Sequence, residues 1–188
     1  MPSKINIKPI IPMNNIVLNC LQERRSVRSF KQEQITDEEL RAVLVAGTFA
    51  PTGMNYQDPW IVAVQNPDII ARLVRMNKQF TQQEGNPYYD APTIVLVFAS
   101  RPEKWKNGMA VGSLVLGNMM IAAHAIGLGS CWINREREMF DTDEGKQLME
   151  QMGLPEGLMG VGALSLGYPA SPLRPARPRK ENYYRIIK

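Results

Sequence analysis

Two clusters of polar and basic side chains, about 150 residues apart in the chain, contain the residue types that bind phosphate groups. Their members are Arg24, Arg25, Ser26 and Arg28 in the first cluster and Arg174, Arg177, Arg179 and Lys180 in the second. A guanidinium group donates paired, charge-assisted hydrogen bonds to phosphate oxygens, and a neighbouring hydroxyl can donate one more. Because a run of charged residues is more often solvated surface, neither cluster alone establishes a site.

The composition indicates one globular domain over residues 1–188. The chain is 44% hydrophobic and 21% charged, which is typical of a domain with its own core. Its net charge of +4 is concentrated at the end, because residues 174–188 hold six basic residues and one acid, a local +5, and residues 1–173 carry −1. A basic surface spread over the fold, as in many nucleic-acid-binding proteins, is therefore disfavoured.

The sequence argues against a membrane span, a secretory signal and a metal site. The longest purely apolar run, residues 94–99, is far shorter than the ~20 residues that span a bilayer. Prolines interrupt residues 1–12 before a signal-peptide core forms. With only Cys20, Cys131 and His124 available, zinc sites and histidine-based triads are disfavoured. We expect a cytoplasmic protein without a metal.

Local patterns predict the elements that must position these residues. Hydrophobic periodicity and capping residues predict helices over residues 15–22, 37–48, 67–80, 109–126 and 141–152. Thr36 and Glu39 form a capping box before the second helix. Branched and aromatic residues predict strands at residues 60–64, 93–100, 160–168 and 182–187, the first buried and the second central.

Two segments favour a homodimer. Residues 109–126 are apolar on almost every side, so the predicted helix should be buried all round, which a second subunit would achieve most easily. Beyond residue 168, prolines recur every third residue at positions 169, 172, 175 and 178, a period typical of an extended polyproline II arm. We expect residues 169–188 to carry positive charge away from their own core and to add a terminal strand to the partner.

Two further segments have residue types suited to a flat heterocycle with a polar edge. In residues 50–57, Gly53 permits close backbone approach, Asn55 and Gln57 offer amide groups, and Met54 offers a soft apolar surface. Residues 127–134, with the sequence GLGSCWIN, form a second candidate loop. Either loop alone would more often be an ordinary turn.

Taken in order along the chain, these motifs resemble the FMN-dependent nitroreductase family. They are residues 24–30, 50–60, 122–133 (AAHAIGLGSCWI), 162–169 and the basic tail. The resemblance implies an α+β fold, with a central, mostly antiparallel sheet flanked by helices. It also implies a homodimer with an exchanged C-terminal arm and one FMN at each end of the interface.

The resemblance also implies which residues bind FMN. The expected phosphate and ribityl ligands are Arg24, Arg25, Ser26, Arg28, Arg177 and Arg179. A loop from the partner, containing Pro51, Thr52, Gly53, Met54, Asn55 and Gln57, covers the flavin, Asn77 touches its polar edge, and Cys131, Trp132 and Ile133 flank the ring. Two departures from the family pattern affect this pocket: Asp58 separates Gln57 from Pro59, and Asn134-Arg135 replaces glycine or glutamate-glycine.

The implied activity is hydride transfer from NADH or NADPH through FMN to a nitroaromatic, quinone or related small acceptor, by a ping-pong mechanism. No side chain need act as a catalytic acid or base, because the flavin carries the chemistry. The sequence has no GxGxxG fingerprint, which fits a nicotinamide that binds only transiently. A non-enzymatic protein that stores or senses FMN is the alternative, and a nucleic-acid-binding domain using the basic tail is a third.

Overall fold

In the computed structural model, which describes residues 15–81 and 84–188, four strands form one antiparallel sheet. The strands are β1 (Trp60–Val64), β2 (Thr93–Ser100), β3 (Gly129–Ile133) and β4 (Leu158–Gly167). Their order is β1-β2-β4-β3, with Val95 opposite both Ala63 and Leu164, and Leu164 opposite Trp132. β1 and β3 are therefore the two edges of the sheet. The expected α+β architecture with an antiparallel sheet is confirmed.

Six α-helices surround the sheet within the described residues: α1 (Ile16–Glu23), α2 (Asp37–Thr48), α3 (Pro67–Lys78), α4 (Gly108–Ala125), α5 (Glu136–Asp141) and α6 (Asp143–Gln151). The predicted capping box starts α2: Thr36 Oγ1 accepts the amide of Glu39 at 3.2 Å, and the Thr36 amide donates to the Glu39 carboxylate at 2.9 Å. The side chains of Asn15 and Asn66 accept backbone amides in the first turns of α1 and α3. These local signals fix the helix starts.

The sheet separates two apolar cores. Ile94, Leu96 and Phe98 of β2 lie in one core together with residues of α3, α5 and α6. The alternate residues of β2, such as Val95 and Val97, lie in the other core with residues of α2 and α4. Side chains alternate along a strand, so β2 is buried on both faces and holds the central position that its composition predicts.

Within one chain helix α4 is buried on one face, and its expected burial all round depends on a second subunit. Val111, Val115 and Met119 face the core, whereas Met109 and Leu114 are exposed. By length and composition alone α4 could cross a membrane, and 44% of its residues are buried in the fold, where it packs on α2 and three strands. The N-terminal segment used to argue against a signal peptide lies outside the described residues.

Two expectations differ from the structure. Residues 129–133 form the edge strand β3, because β4 supplies hydrogen-bond partners that local sequence does not reveal. The helix predicted over residues 141–152 is confirmed as α6, and the short helix α5 before it was not predicted. Thr142 ends α5, and its hydroxyl accepts the amide of Gly145 to begin α6. β1 is a half-exposed edge rather than a buried strand. Residues 182–187 form no strand within one chain, and their pairing with a partner's sheet stays a prediction.

Candidate functional site

The segment that carries the first cluster lies along the β3 edge. The amide of Val27 donates to the Ser130 carbonyl at 2.9 Å, and the amide of Lys31 donates to the Tyr168 carbonyl at 2.9 Å. Gly129 makes this approach possible, because a Cβ there would lie 2.9 Å from a Val27 methyl group. Backbone pairing therefore holds Arg24, Ser26 and Arg28 against the edge of the sheet.

The first half of the arm folds back onto the same segment. Together they form a cleft of about 650 Å³. Its lining consists of residues 24–29, residues 171–177 and Arg179. Six arginines lie in this lining, and none of its described members is an aspartate or glutamate. In this chain residues 171–177 and Arg179 therefore line a cleft with residues 24–29, while every residue from 170 to 188 is exposed. The exchange of the arm with a partner stays a prediction.

Two guanidinium nitrogens in the cleft are buried without a hydrogen-bond partner, Arg24 Nη1 and Arg25 Nε. Burial lowers the pKa of Arg24, and the positive charges of Arg25 and Arg179 lower it further. A buried charged donor without an acceptor is costly, and a phosphate monoester offers three acceptor oxygens with negative charge. The donor set of the cleft thus fits a phosphate group.

Cys131 faces the first cluster from β3. It is 3% exposed, and burial raises the pKa of its thiol, while Arg28, Ser26 and Arg24 act in the opposite direction. Ile133 lies in the same core as Cys131, but Trp132 packs on the other side of the sheet, in the core with α2 and α4. The Trp132 side chain therefore points to the opposite face from those of Cys131 and Ile133, because neighbours in a strand alternate, and their contact with a ring stays a prediction.

The second predicted group, the loop of residues 51–57, lies before β1 at the opposite edge of the sheet. Three strand spacings, roughly 14 Å, separate β1 from β3. The loop has positive φ angles at Met54 (51°), Asn55 (57°) and Gln57 (49°). The Gln57 amide donates to Thr52 Oγ1, its side chain donates to Asn55, and Met54 is 83% exposed. One chain alone does not bring this loop to the cleft.

Side chains outside the predicted site support this loop. Tyr56 packs edge-on against Trp105, with ring centroids 4.8 Å apart, and a Cβ at Gly53 would lie 3.1 Å from the same indole. The Asp58 carboxylate accepts the amide of Ser100 at the end of β2 at 2.9 Å. This bond gives the inserted Asp58 a structural role. The sequence offered no signal for Trp105, since nothing local relates it to residues 51–57.

Asn77 is a core residue rather than a member of the cleft. It is 1% exposed, and its amide donates to the Asn134 carbonyl at 2.9 Å. The adjacent Arg135 adopts a φ of 91°, in the left-handed region that favours glycine. Nearby, the Tyr88 hydroxyl donates to Glu136 Oε1 at 3.1 Å, and burial raises the pKa of Glu136 to about 8. Sequence reasoning missed this buried pair, because its members are 48 residues apart.

The structure is an α+β domain with an arginine-lined cleft at one edge of its sheet. A sequence model of the nitroreductase family matches residues 21–168. A protein of Archaeoglobus fulgidus with the provisional name NADH dehydrogenase/NAD(P)H nitroreductase is 32% identical over 158 residues, covering 81% of this chain and 84% of that protein. The chain belongs to the nitroreductase family.

Two further comparisons concern named cofactors. An FMN reductase [NAD(P)H] of Bacillus subtilis is 26% identical, covering 88% of this chain and 72% of that protein. A nitroreductase from Bacteroides fragilis, whose crystal structure contains bound FMN, is 30% identical to this chain. The two structures match with a TM-score of 0.84 over 93% of this chain and all of that one. The fold is therefore that of proteins crystallised with FMN.

Proposed function

We propose that this protein is an FMN-dependent oxidoreductase that uses NADH or NADPH to reduce small acceptors such as nitroaromatics or quinones. The observation that carries the proposal is the cleft in which Arg24 and Arg25 keep buried, unsatisfied donors beside β3. Membership of the nitroreductase family and the FMN-containing relatives support the same cofactor.

Arg24, Ser26, Arg28 and Arg179 would hold the phosphate of FMN, and Arg25 and Arg177 would add charge to the same cleft. When bound, FMN supplies the hydride chemistry that links NAD(P)H to the acceptor. The chain's own contribution is to neutralise the phosphate with guanidinium groups that are already in place. The buried Cys131 lies close to Arg24, Ser26 and Arg28 on the β3 side of the segment that carries them.

We also propose a homodimer, because each chain offers half of the expected pocket. The cleft lies at the β3 edge, while the loop of residues 51–57 lies at the β1 edge. A second copy can place its loop over the first copy's cleft. The exposed apolar residues of α4, including Leu114, and those near the chain end, including Ile187, would be covered in the same assembly.

Electron donor and acceptor should bind in turn at one site, so we expect ping-pong kinetics in a cytoplasmic enzyme. The absence of a GxGxxG motif from the sequence supports transient nicotinamide binding. Double-reciprocal plots at several fixed acceptor concentrations should give parallel lines. Intersecting lines would contradict the alternating binding of donor and acceptor at one site. They would leave the cofactor assignment unaffected.

The direct experiment is the anaerobic titration of purified protein with NADH and NADPH, followed by visible absorbance. A yellow protein that is bleached by either nucleotide and recoloured by a quinone supports the oxidoreductase. A yellow protein inert to both nucleotides would instead support the non-enzymatic FMN-binding alternative. A colourless protein that does not bind added FMN would overturn both.

A further inference from the structure

The guanidinium of Arg28 lies against an aromatic ring. Arg28 lines the cleft, and its Cζ atom lies 5.8 Å from the centroid of the Tyr89 ring. Within residues 15–81 and 84–188, the Arg28 side chain makes no hydrogen bond or ion pair. The neighbouring Arg25 is held differently, because its Nη1 donates to the Gln22 carbonyl at 2.7 Å. The first cluster therefore fixes its arginines in two different ways.

An aromatic contact positions an arginine without occupying its hydrogen-bond donors. The face of a tyrosine ring attracts a cation within about 6 Å of its centroid. A hydrogen bond to a carbonyl uses one N–H group, whereas contact with an aromatic face uses none. Arg28 is exposed, and an exposed arginine that is ordered in advance loses less rotamer freedom when a ligand binds. The Tyr89 contact thus leaves every donor of Arg28 available to an incoming acceptor.

Tyr89 is carried by a turn of unusual backbone conformation. Tyr89 and Asp90 have φ angles of 57° and 55°, which a bulky side chain adopts only where its surroundings hold it there. The Asn86 side chain accepts the Tyr88 amide at 2.8 Å and donates to the Asp90 carboxylate at 2.8 Å. The Ser165 hydroxyl donates to the Tyr88 carbonyl at 2.9 Å. These hydrogen bonds fix the turn to itself and to β4.

The same turn directs two consecutive tyrosines to different places. The Tyr88 ring is fully buried, and its hydroxyl donates to Glu136. The Tyr89 ring is half-buried and packs against a small apolar cluster that includes the segment next to Arg28. The buried members of this cluster are Val27, Phe30 and Ala91. Because the first ring anchors the turn in the core, the second ring is held beside the cleft.

We propose that Tyr89 is a positioning residue of the cleft, whose aromatic face holds the Arg28 guanidinium ready for the phosphate of the flavin. The inference rests on the proposed function, because that phosphate belongs to FMN. Tyr89 acts through Arg28 and needs no contact with the flavin of its own. Its effect should therefore be confined to a flavin that carries a phosphate.

The test compares Tyr89→Leu, which keeps a large apolar side chain, with Tyr89→Phe, which keeps the ring. Each full-length variant is loaded with FMN or riboflavin, and the dissociation constant is measured by flavin fluorescence over a dilution series. The FMN dissociation constant should rise about two- to fivefold in Tyr89→Leu, the range expected for a cation–π contact at an exposed site. It should keep its wild-type value in Tyr89→Phe, and riboflavin binding should be the same in all three proteins.

A double-mutant cycle assigns the effect to Arg28. In the Arg28→Ala background, Tyr89→Leu should cause no further loss of FMN affinity, because the side chain that it positions is gone. Equal losses for FMN and riboflavin, or a loss that persists without Arg28, would overturn the proposal. An unchanged FMN affinity in Tyr89→Leu would overturn it as well. These results leave FMN binding by the wild type intact, whereas a wild-type protein that binds no FMN would overturn the proposed function too.

Discussion

The ionisable side chains of Arg24 and Glu136 are both withdrawn from solvent, but their surroundings suit them to different roles. Arg24 is half-buried among other arginines and keeps an unsatisfied donor toward a cleft open to solvent. Glu136 is fully enclosed and meets the hydroxyl of Tyr88. A buried ion requires a counter-ion, whereas a buried acid can become neutral. The first side chain therefore suits ligand binding and the second suits internal packing.

Replacing Arg24 with alanine should weaken FMN binding by roughly ten- to a hundredfold, because a charge-assisted hydrogen bond contributes about 1.5–3 kcal/mol. Riboflavin has no phosphate, so its affinity should change much less. Fluorescence titration of the apoprotein with both flavins measures the difference. Equal losses for FMN and riboflavin would show that Arg24 does not act on the phosphate.

The stability of the protein should fall as pH rises through the range set by Glu136. Burial raises the pKa of Glu136 from its ordinary 4.5 to about 8, so between these values the folded state keeps a proton that the unfolded chain releases. The free energy of unfolding should therefore decline from about pH 4.5 to pH 8 and level off above it. At about 1.4 kcal/mol per pKa unit, the loss is on the order of 3–5 kcal/mol.

Glu136→Gln, which stays neutral, should flatten this decline in urea unfolding measured between about pH 5 and pH 9. Glu150→Gln removes an exposed carboxylate from α6 and should keep the wild-type profile. A decline that persists unchanged in Glu136→Gln would assign the pH dependence to other groups.

At the scale of elements, the edge of β3 determines where the candidate site forms. β3 pairs with β4 on one side and with the segment of residues 26–28 on the other, through the Val27 amide. The close packing of Val27 on Gly129 leaves no room for a side chain. The position of the arginines thus depends on a glycine in β3.

Gly129→Ala should move the segment of residues 26–28 outward, since the new methyl group would lie 2.9–3.0 Å from three Val27 side-chain atoms. Overpacking of this kind costs about 1–3 kcal/mol, and FMN affinity should fall about tenfold. Thermal unfolding and FMN titration measure the two effects. Adding Val27→Ala removes the clash and should restore part of both. No recovery in the double variant would mean that the Val27 contact is not the cause.

At the scale of the whole molecule, the two halves of the expected pocket lie at opposite sheet edges of one chain. The arm also has two parts. Arg174, Arg177 and Arg179 line the cleft, whereas the large side chains near the end of the arm are 69–95% exposed: Tyr183, Tyr184, Ile186 and Ile187. Exposed apolar side chains in a group of this size favour burial against another surface. A second copy of the chain supplies such a surface in the proposed dimer.

Two truncations separate these roles of the arm. Removing residues 181–188 should raise the dimer dissociation constant at least about tenfold, because several large apolar side chains lose their cover. It leaves every cleft arginine in place. Removing residues 174–188 should also weaken FMN binding, because three arginines of the cleft are lost. Sedimentation velocity and FMN titration measure both properties. A shorter chain that remained fully dimeric would exclude the arm end from the interface.

The sequence by itself determined the features whose causes lie within a few residues. Capping by Thr36 and Asn66 fixed the starts of α2 and α3, and the composition of residues 93–100 was sufficient for a central strand. The chemistry of the arginine clusters followed from residue type alone. The order of motifs along the chain was enough to identify the family.

Only the tertiary structure decided which of these residues meet. Residues 129–133 become a strand because β4 pairs with them, and this pairing places Cys131 and Trp132 on opposite faces. Asn77 was drawn into the core by the Asn134 carbonyl, 57 residues away. Hydrogen bonds and packing between distant segments depend on how the chain folds in space, whereas propensity and capping act along the chain.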